Sequence, residues 1–217
     1  MKLAALKNVY VAVGALLAWF AVLLQLVLIL QNSLTPVLET LFRYFTFFTI
    51  LTNILVAICF ASLWYHRKNP AASFFTPGRQ TAVAVYILVV GIVYNLALRS
   101  LWQPQGAQRL VDELLHVVVP VWYFIYWFVF VSKQGLEWKN AVSWLLYPFV
   151  YLVVILVRGA LAPTPYYPYP FVDASKIGYE KVAINSFFVL LLFLLLSFLF
   201  IGIGKWSRRA VQSKATG

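Results

Sequence analysis

The amino-acid sequence predicts an all-α membrane protein, a six-transmembrane-helix bundle with both termini inside, and three observations predict it. Hydrophobic residues fill 63% of the 217 positions and charged residues 11%, too few charges to coat a soluble domain. Six apolar stretches, each near the roughly 20 residues a helix needs to cross a bilayer, occupy most of the chain. Lys and Arg are also unevenly shared between the alternate connecting segments, as the positive-inside rule requires.

The spans are expected at about 9–30, 44–65, 81–101, 114–132, 140–161 and 183–204, within a single integral membrane domain over 1–217. The first, about Tyr10 to Leu30, exceeds a signal-peptide core and is followed by Gln31-Asn32-Ser33-Leu34 rather than a small-residue cleavage site, so it reads as a retained helix. The second lies between Arg43 and His66-Arg67-Lys68, and the third between Pro77-Gly78-Arg79 and the region of Arg99. Asp112-Glu113 precedes the fourth and Lys133 follows it; Lys139 opens the fifth, which ends near Arg158; Lys181 and Lys205 bracket the sixth. The connection from Ala162 to Val182 is the long one, and its Pro-Thr-Pro-Tyr-Tyr-Pro-Tyr-Pro-Phe run should be extended or turning and rich in interfacial aromatics.

With these spans, Lys2, Lys7, Arg67, Lys68, Arg79, Lys133, Lys139, Lys205, Arg208, Arg209 and Lys214 share the side of the termini, eleven of the seventeen basic residues. Arg43, Arg99, Arg109, Arg158, Lys176 and Lys181 lie opposite with five of the six acids, Glu39, Asp112, Glu113, Asp173 and Glu180. Both termini are therefore expected in the cytoplasm. The net charge of +11 reflects this orientation, because no basic-aromatic nucleic-acid motif accompanies it. No internal repeat of the kind found in many secondary transporters is visible.

Polar residues inside the spans gather near the outer face. Thr46 follows Arg43 at the start of the second span and His116 follows Asp112-Glu113 at the start of the fourth, so the two should share a depth. Thr46, Thr49 and Asn53 recur at i, i+3 and i+7, one helical stripe. Arg99 and Arg158 approach the same level, with Asn95 one turn below Arg99. A hydroxyl beside an imidazole is the minimum set for nucleophilic acyl transfer, with arginine suited to an anionic head group. Each residue also has a structural explanation: threonine back-bonding, an interfacial histidine, snorkelling arginines and asparagine as interhelical glue. Cys59 is the one cysteine, and His66 and His116 should lie at opposite faces. No metal and no cofactor is therefore expected, a bis-histidine haem within one chain least of all.

At Phe42-Arg43-Tyr44-Phe45-Thr46-Phe47-Phe48, Leu115-His116-Val117-Val118-Val119-Pro120 and Tyr169-Pro170-Phe171, the chain resembles the androgen-induced-gene family of small multi-span membrane proteins. Over its whole length it looks like the bacterial members often called Pr6Pr proteins. The animal members hydrolyse fatty acid esters of hydroxy fatty acids with a threonine nucleophile and a histidine partner. The resemblance implies those roles for Thr46 and His116. The histidine-to-proline interval here is four positions against five in the animal proteins, which keeps Thr49 and Thr52 as alternative nucleophiles, Thr49 first because it shares the Thr46 stripe. No acidic third member is evident, although Asp112, one turn before His116, could orient it if the helix begins early enough.

The sequence reading is thus a threonine hydrolase of lipid esters, bound to membrane lipids and its ester substrate, in a bacterial inner membrane with its site toward the outer leaflet. Arg99, Arg158, Asn53, Asn95 and Tyr169 are its expected substrate-binding residues. The alternative is an anionic-lipid transporter or lipid-binding protein without catalysis, and a third is a structural membrane subunit.

Overall fold

A computed structural model describes residues 2–162 and 164–215, with side chains described up to Ser207. Pro163 of the aromatic-proline run lies outside them, as do the side chains of Arg208, Arg209 and Lys214, counted above toward orientation. The fold is all-α, with no strand among the described residues. Among the described residues six helices are long and apolar enough to cross a membrane: Lys2–Asn32, Phe48–Lys68, Pro77–Leu101, Gly106–Phe130, Lys139–Leu161 and Ala174–Ser207. The chain is an integral membrane protein by this measure, and it forms two compact units, Met1–Gly135 and Leu136–Gly217.

In the first unit, α1 (Lys2–Asn32) buries Val11, Gly14, Ala18, Ala21 and Val22, a stripe of small and medium residues. Small residues are what let membrane helices approach closely, since lipid gives no hydrophobic drive between helices. The approach is tight: a Cβ on Gly14 would sit 2.8 Å from both the Phe60 ring and Trp122 Nε1. Tyr10 stacks on Trp122 at 4.4 Å and donates its hydroxyl to the Trp122 carbonyl at 3.0 Å.

The second expected span begins later than 44. A short α2 (Val37–Tyr44) is separated from α3 (Phe48–Tyr65) by a turn that holds Thr46. Thr46 donates both its backbone N–H (3.0 Å) and its hydroxyl (2.6 Å) to the Arg43 carbonyl, and Phe47 is extended (φ −77°, ψ 122°). A hydroxyl that bonds the preceding backbone competes with the helical ladder, and it does so here among aromatics of modest helix propensity. Thr46 is therefore not on the helical stripe of Thr49 and Asn53.

Next come α4 (Pro77–Val93), whose N-terminal proline lacks only an N–H that would be orphaned anyway, and α5 (Gly106–Glu113). The chain then enters α6 (Val119–Phe130). Away from the candidate site, Gln80, Thr81, Tyr123, Tyr126 and Trp127 form a buried polar network between α4 and α6. In it Tyr126 donates to Gln80 Oε1 at 2.8 Å and the Trp127 indole to Thr81 Oγ1 at 3.0 Å. Each polar tip finds a partner, as the apolar surroundings demand.

The second unit contains α7 (Lys139–Trp144), α8 (Leu146–Leu161) and α9 (Ala174–Ala215), the last kinked at Gly178, where φ of 77° and ψ of 157° favour glycine. Ile155, Val172 and Val182 form its buried cluster, with Tyr169 and Phe171 packed against it and stacked on each other at 5.3 Å.

Candidate functional site

The site grows from Pro120. In an α-helix the N–H of residue 120 would serve the carbonyl of His116, and proline has none. The helix responds by widening into a π turn over Leu114–Val118, in which Val119 donates to the Leu114 carbonyl, five residues back. The carbonyls of Leu115 and His116 thereby lose their usual partners. Two asparagines from other helices replace them: Asn53 Nδ2 of α3 donates to Leu115 O at 3.2 Å, and Asn95 Nδ2 donates to His116 O at 3.3 Å. The asparagines are interhelical glue with a specific target, the backbone around His116.

Asn95 belongs to a second π turn, Tyr94–Leu98, which extends α4. Its side chain inserts into the ladder by donating to Gly91 O at 2.7 Å, a recognised cause of local widening. Gly91 allows the two turns to meet, because a Cβ there would lie 3.1 Å from His116 O and 3.3 Å from Pro120 Cβ. Single π turns inside helices are frequent at functional sites. Here two of them face each other.

Between them sits a buried polar triad. His116 Nδ1 is 2.9 Å from the Asp112 carbonyl oxygen and 3.2 Å from Asp112 Oδ1. Both neighbours are acceptors, so Nδ1 carries the proton and Nε2 is left with the lone pair in the neutral ring. Tyr94 donates its hydroxyl to Asp112 Oδ2 and stacks its ring on the imidazole, centroids 3.7 Å apart and planes 13° from parallel. Asp112 is 5% exposed and the His116 side chain 13%. The imidazole is thus fixed in tautomer by hydrogen bonding and in plane by stacking.

Other expected site residues are distributed as follows. Thr46 (7% exposed), Thr49 (8%) and Thr52 and Asn53 (0%) are all buried, and Tyr44 and Ile50 on either side of Thr46 share an apolar cluster with Leu114 and Leu115. Arg99 is committed to Glu113 by a two-pronged pair of 2.7 and 2.8 Å. Arg158 and Tyr169 belong to the second unit, where the Arg158 guanidinium lies 5.6 Å from the Tyr166 ring centre. His66 follows α3 and bonds the Ser62 carbonyl at 2.9 Å.

Tyr94 escaped the sequence reading altogether. The signal for Asp112 was its i, i+4 spacing to His116, which becomes a contact because α5 starts at Gly106 and runs on into the π turn that holds His116. No family model matches the chain, and no curated protein or solved structure matches it either.

Proposed function

We propose that the chain is an intramembrane hydrolase of lipid carboxylic esters, fatty acid esters of hydroxy fatty acids among them, with Thr46 as nucleophile and His116 as general base. The observation that carries the reading is the buried Asp112–His116 pair, which holds Nδ1 and presents Nε2. A carboxylate holding a histidine in one tautomer is the arrangement that lets imidazole take a hydroxyl proton and return it to a leaving group. The resemblance at the Thr46, His116 and Tyr169 segments supports the same assignment.

In this mechanism the Thr46 hydroxyl leaves the Arg43 carbonyl and transfers its proton to His116 Nε2 as Oγ1 attacks the ester carbonyl. The tetrahedral intermediate collapses, the ester C–O bond breaks, and the alcohol departs with the proton from Nε2. Water then repeats the sequence on the acyl-threonine, releasing the fatty acid and regenerating the hydroxyl. Tyr94 is a positioning residue that keeps the imidazole plane while the ring gains and loses charge. In this reading the site opens toward the outer leaflet of a bacterial inner membrane, which the uneven sharing of Lys and Arg between the connecting segments supports.

One observation favours the alternative of lipid binding without cleavage: the Thr46 hydroxyl caps the end of α2 through Arg43 O at 2.6 Å, a purely structural task. The two readings separate on release of free fatty acid by purified, detergent-solubilised protein from a hydroxy-fatty-acid ester and a panel of simpler lipid esters. Hydrolysis abolished in folded Thr46→Ala and His116→Ala, with an acyl group trapped on Thr46 by mass spectrometry, is the expected result. No cleavage of any ester, or unimpaired cleavage by both variants, would overturn the proposal in favour of lipid binding.

A further inference from the structure

The two ends of the first unit differ in charge and in what holds the charges. The end with α2 and the π turns is balanced, Arg43, Arg99 and Arg109 standing against Glu39, Asp112 and Glu113. The opposite end, where α1 starts, α3 and α6 finish and α4 begins, carries Lys2, Lys7, Arg67, Lys68, Arg79 and Lys133 and no acidic residue. Partners follow the same division. Arg43 and Arg99 are held by the carboxylates of Glu39 and Glu113. Arg67 and Arg79, both exposed, lie instead on aromatic rings, 4.4 Å from the centre of Trp64 and 3.9 Å from that of Phe74. Each also donates Nη1 to the carbonyl of the residue whose ring it covers, at 3.0 Å to Trp64 O and 2.7 Å to Phe74 O. A ring and a carbonyl fix each guanidinium without cancelling its charge, and neither arginine makes an ion pair among the described residues. One hydrogen bond apiece leaves the other donors of each fork unused.

Depth narrows the partner. The two arginines flank the connection between α3 and α4, where Trp64, Tyr65 and Phe74 are exposed. Aromatic side chains of this kind settle at the membrane–water interface, so the guanidiniums they carry sit at the level of lipid phosphates. We infer that this end of the first unit is a binding surface for anionic phospholipids, with Arg67 and Arg79 gripping the head-group phosphates. The guanidinium fork matches two phosphate oxygens, and the ring that already holds it lowers the conformational entropy lost on binding. A zwitterionic head group brings its own ammonium beside the phosphate, which six cations without an acid repel; an anionic head group does not. Net charge thus selects the class of lipid, and the two pinned forks select the atoms bound. Neither part of the inference uses the proposed hydrolase chemistry.

The test is equilibrium binding of phosphatidylglycerol to the purified full chain in a non-ionic detergent, read as one-to-one adducts by native mass spectrometry. Phosphatidylcholine with the same acyl chains competes. The original protein should prefer phosphatidylglycerol by about tenfold or more, and the double variant Arg67→Gln/Arg79→Gln should lose about tenfold in affinity for it. Arg109→Gln, at the balanced end, should change nothing. Arg67→Lys/Arg79→Lys should keep the preference for the anionic lipid but bind it more weakly than the original. Size-exclusion profiles matching the original protein show that the variants are folded. Equal binding of the two lipids by the original, or an undiminished preference in the folded double glutamine variant, overturns the inference. Full affinity in the double lysine variant overturns the assignment to the guanidinium forks. Displacement of phosphatidylglycerol by an equal concentration of inorganic phosphate overturns the lipid as the source of the phosphate.

Discussion

Replacing Asn53 with leucine should destabilise the protein by an amount that depends on residue 120. Asn53 is fully buried, and its Nδ2 serves Thr49 O at 2.8 Å and Leu115 O at 3.2 Å. Leucine keeps asparagine's branched four-atom skeleton with bulkier methyl groups, so beside any overpacking, which both residue-120 backgrounds share, the specific loss is the donor to Leu115, whose carbonyl the π turn has deprived of its ordinary partner. A stranded buried acceptor costs about 1–3 kcal/mol, while interhelical hydrogen bonds in membranes measure about 0.6 and at most about 1.7. A cost of about 1–2 kcal/mol follows. For a chain of this size that is a fall in Tm of roughly 2–8 °C. Pro120→Ala supplies the missing N–H, so the helix can return to its four-residue repeat, with Val119 serving Leu115 and residue 120 serving His116. In that background Asn53→Leu should cost less than half as much, and Asn95→Leu should show the same relief. Thermal unfolding of the four proteins of each cycle in detergent, followed by far-ultraviolet circular dichroism, measures the coupling directly. Equal costs in both backgrounds, or no cost in the original, would refute the account of the π turn.

Gly14→Ala should lower Tm through an overpacking cost of about 1–3 kcal/mol, because its Cβ meets two rings at 2.8 Å; Gly78→Ala, with nothing within 4 Å, should leave Tm unchanged or raise it. Asp112→Asn should reduce kcat on a cleaved ester by about 10²–10⁴-fold, with a smaller loss in Tyr94→Phe, which keeps the stacked ring. Lys133 lies beyond the span, donates to the Trp127 and Phe128 carbonyls at 2.6 and 2.7 Å, and is pushed down to about 8 by burial. The folded protein therefore releases this proton before the unfolded chain does. Unfolding free energy should rise between about pH 8 and 10.5, and Lys133→Met should remove that slope in a pH series of denaturation curves.

Hydropathy and charge made the six spans legible, because bilayer thickness and loop charge act on each segment separately. The break between α2 and α3 was not legible: it depends on one hydroxyl turning back to Arg43, and hydropathy does not register that. His116 and Asp112 were readable from spacing on a single helix. Tyr94 was not, since its place beside them arises from the packing of two chain segments. Arg99 illustrates the same limit, for its partner Glu113 is fourteen positions away, and sequence alone made it a ligand for an external anion. Pro120, four residues after His116, was visible throughout; which side chains would satisfy the carbonyls it releases needed coordinates.

The dependence of the His116 turn on Asn53 and Asn95 bears on how the chain enters the membrane during synthesis. A helix carrying two unsatisfied carbonyls would face a penalty of several kcal/mol in hydrocarbon if it partitioned alone. The donors lie on α3 and α4, which are made first, so both helices can already be waiting when the segment around Pro120 leaves the ribosome. Chain order and hydrogen bonding thus agree: the helix least suited to lipid is inserted after the two that complete it.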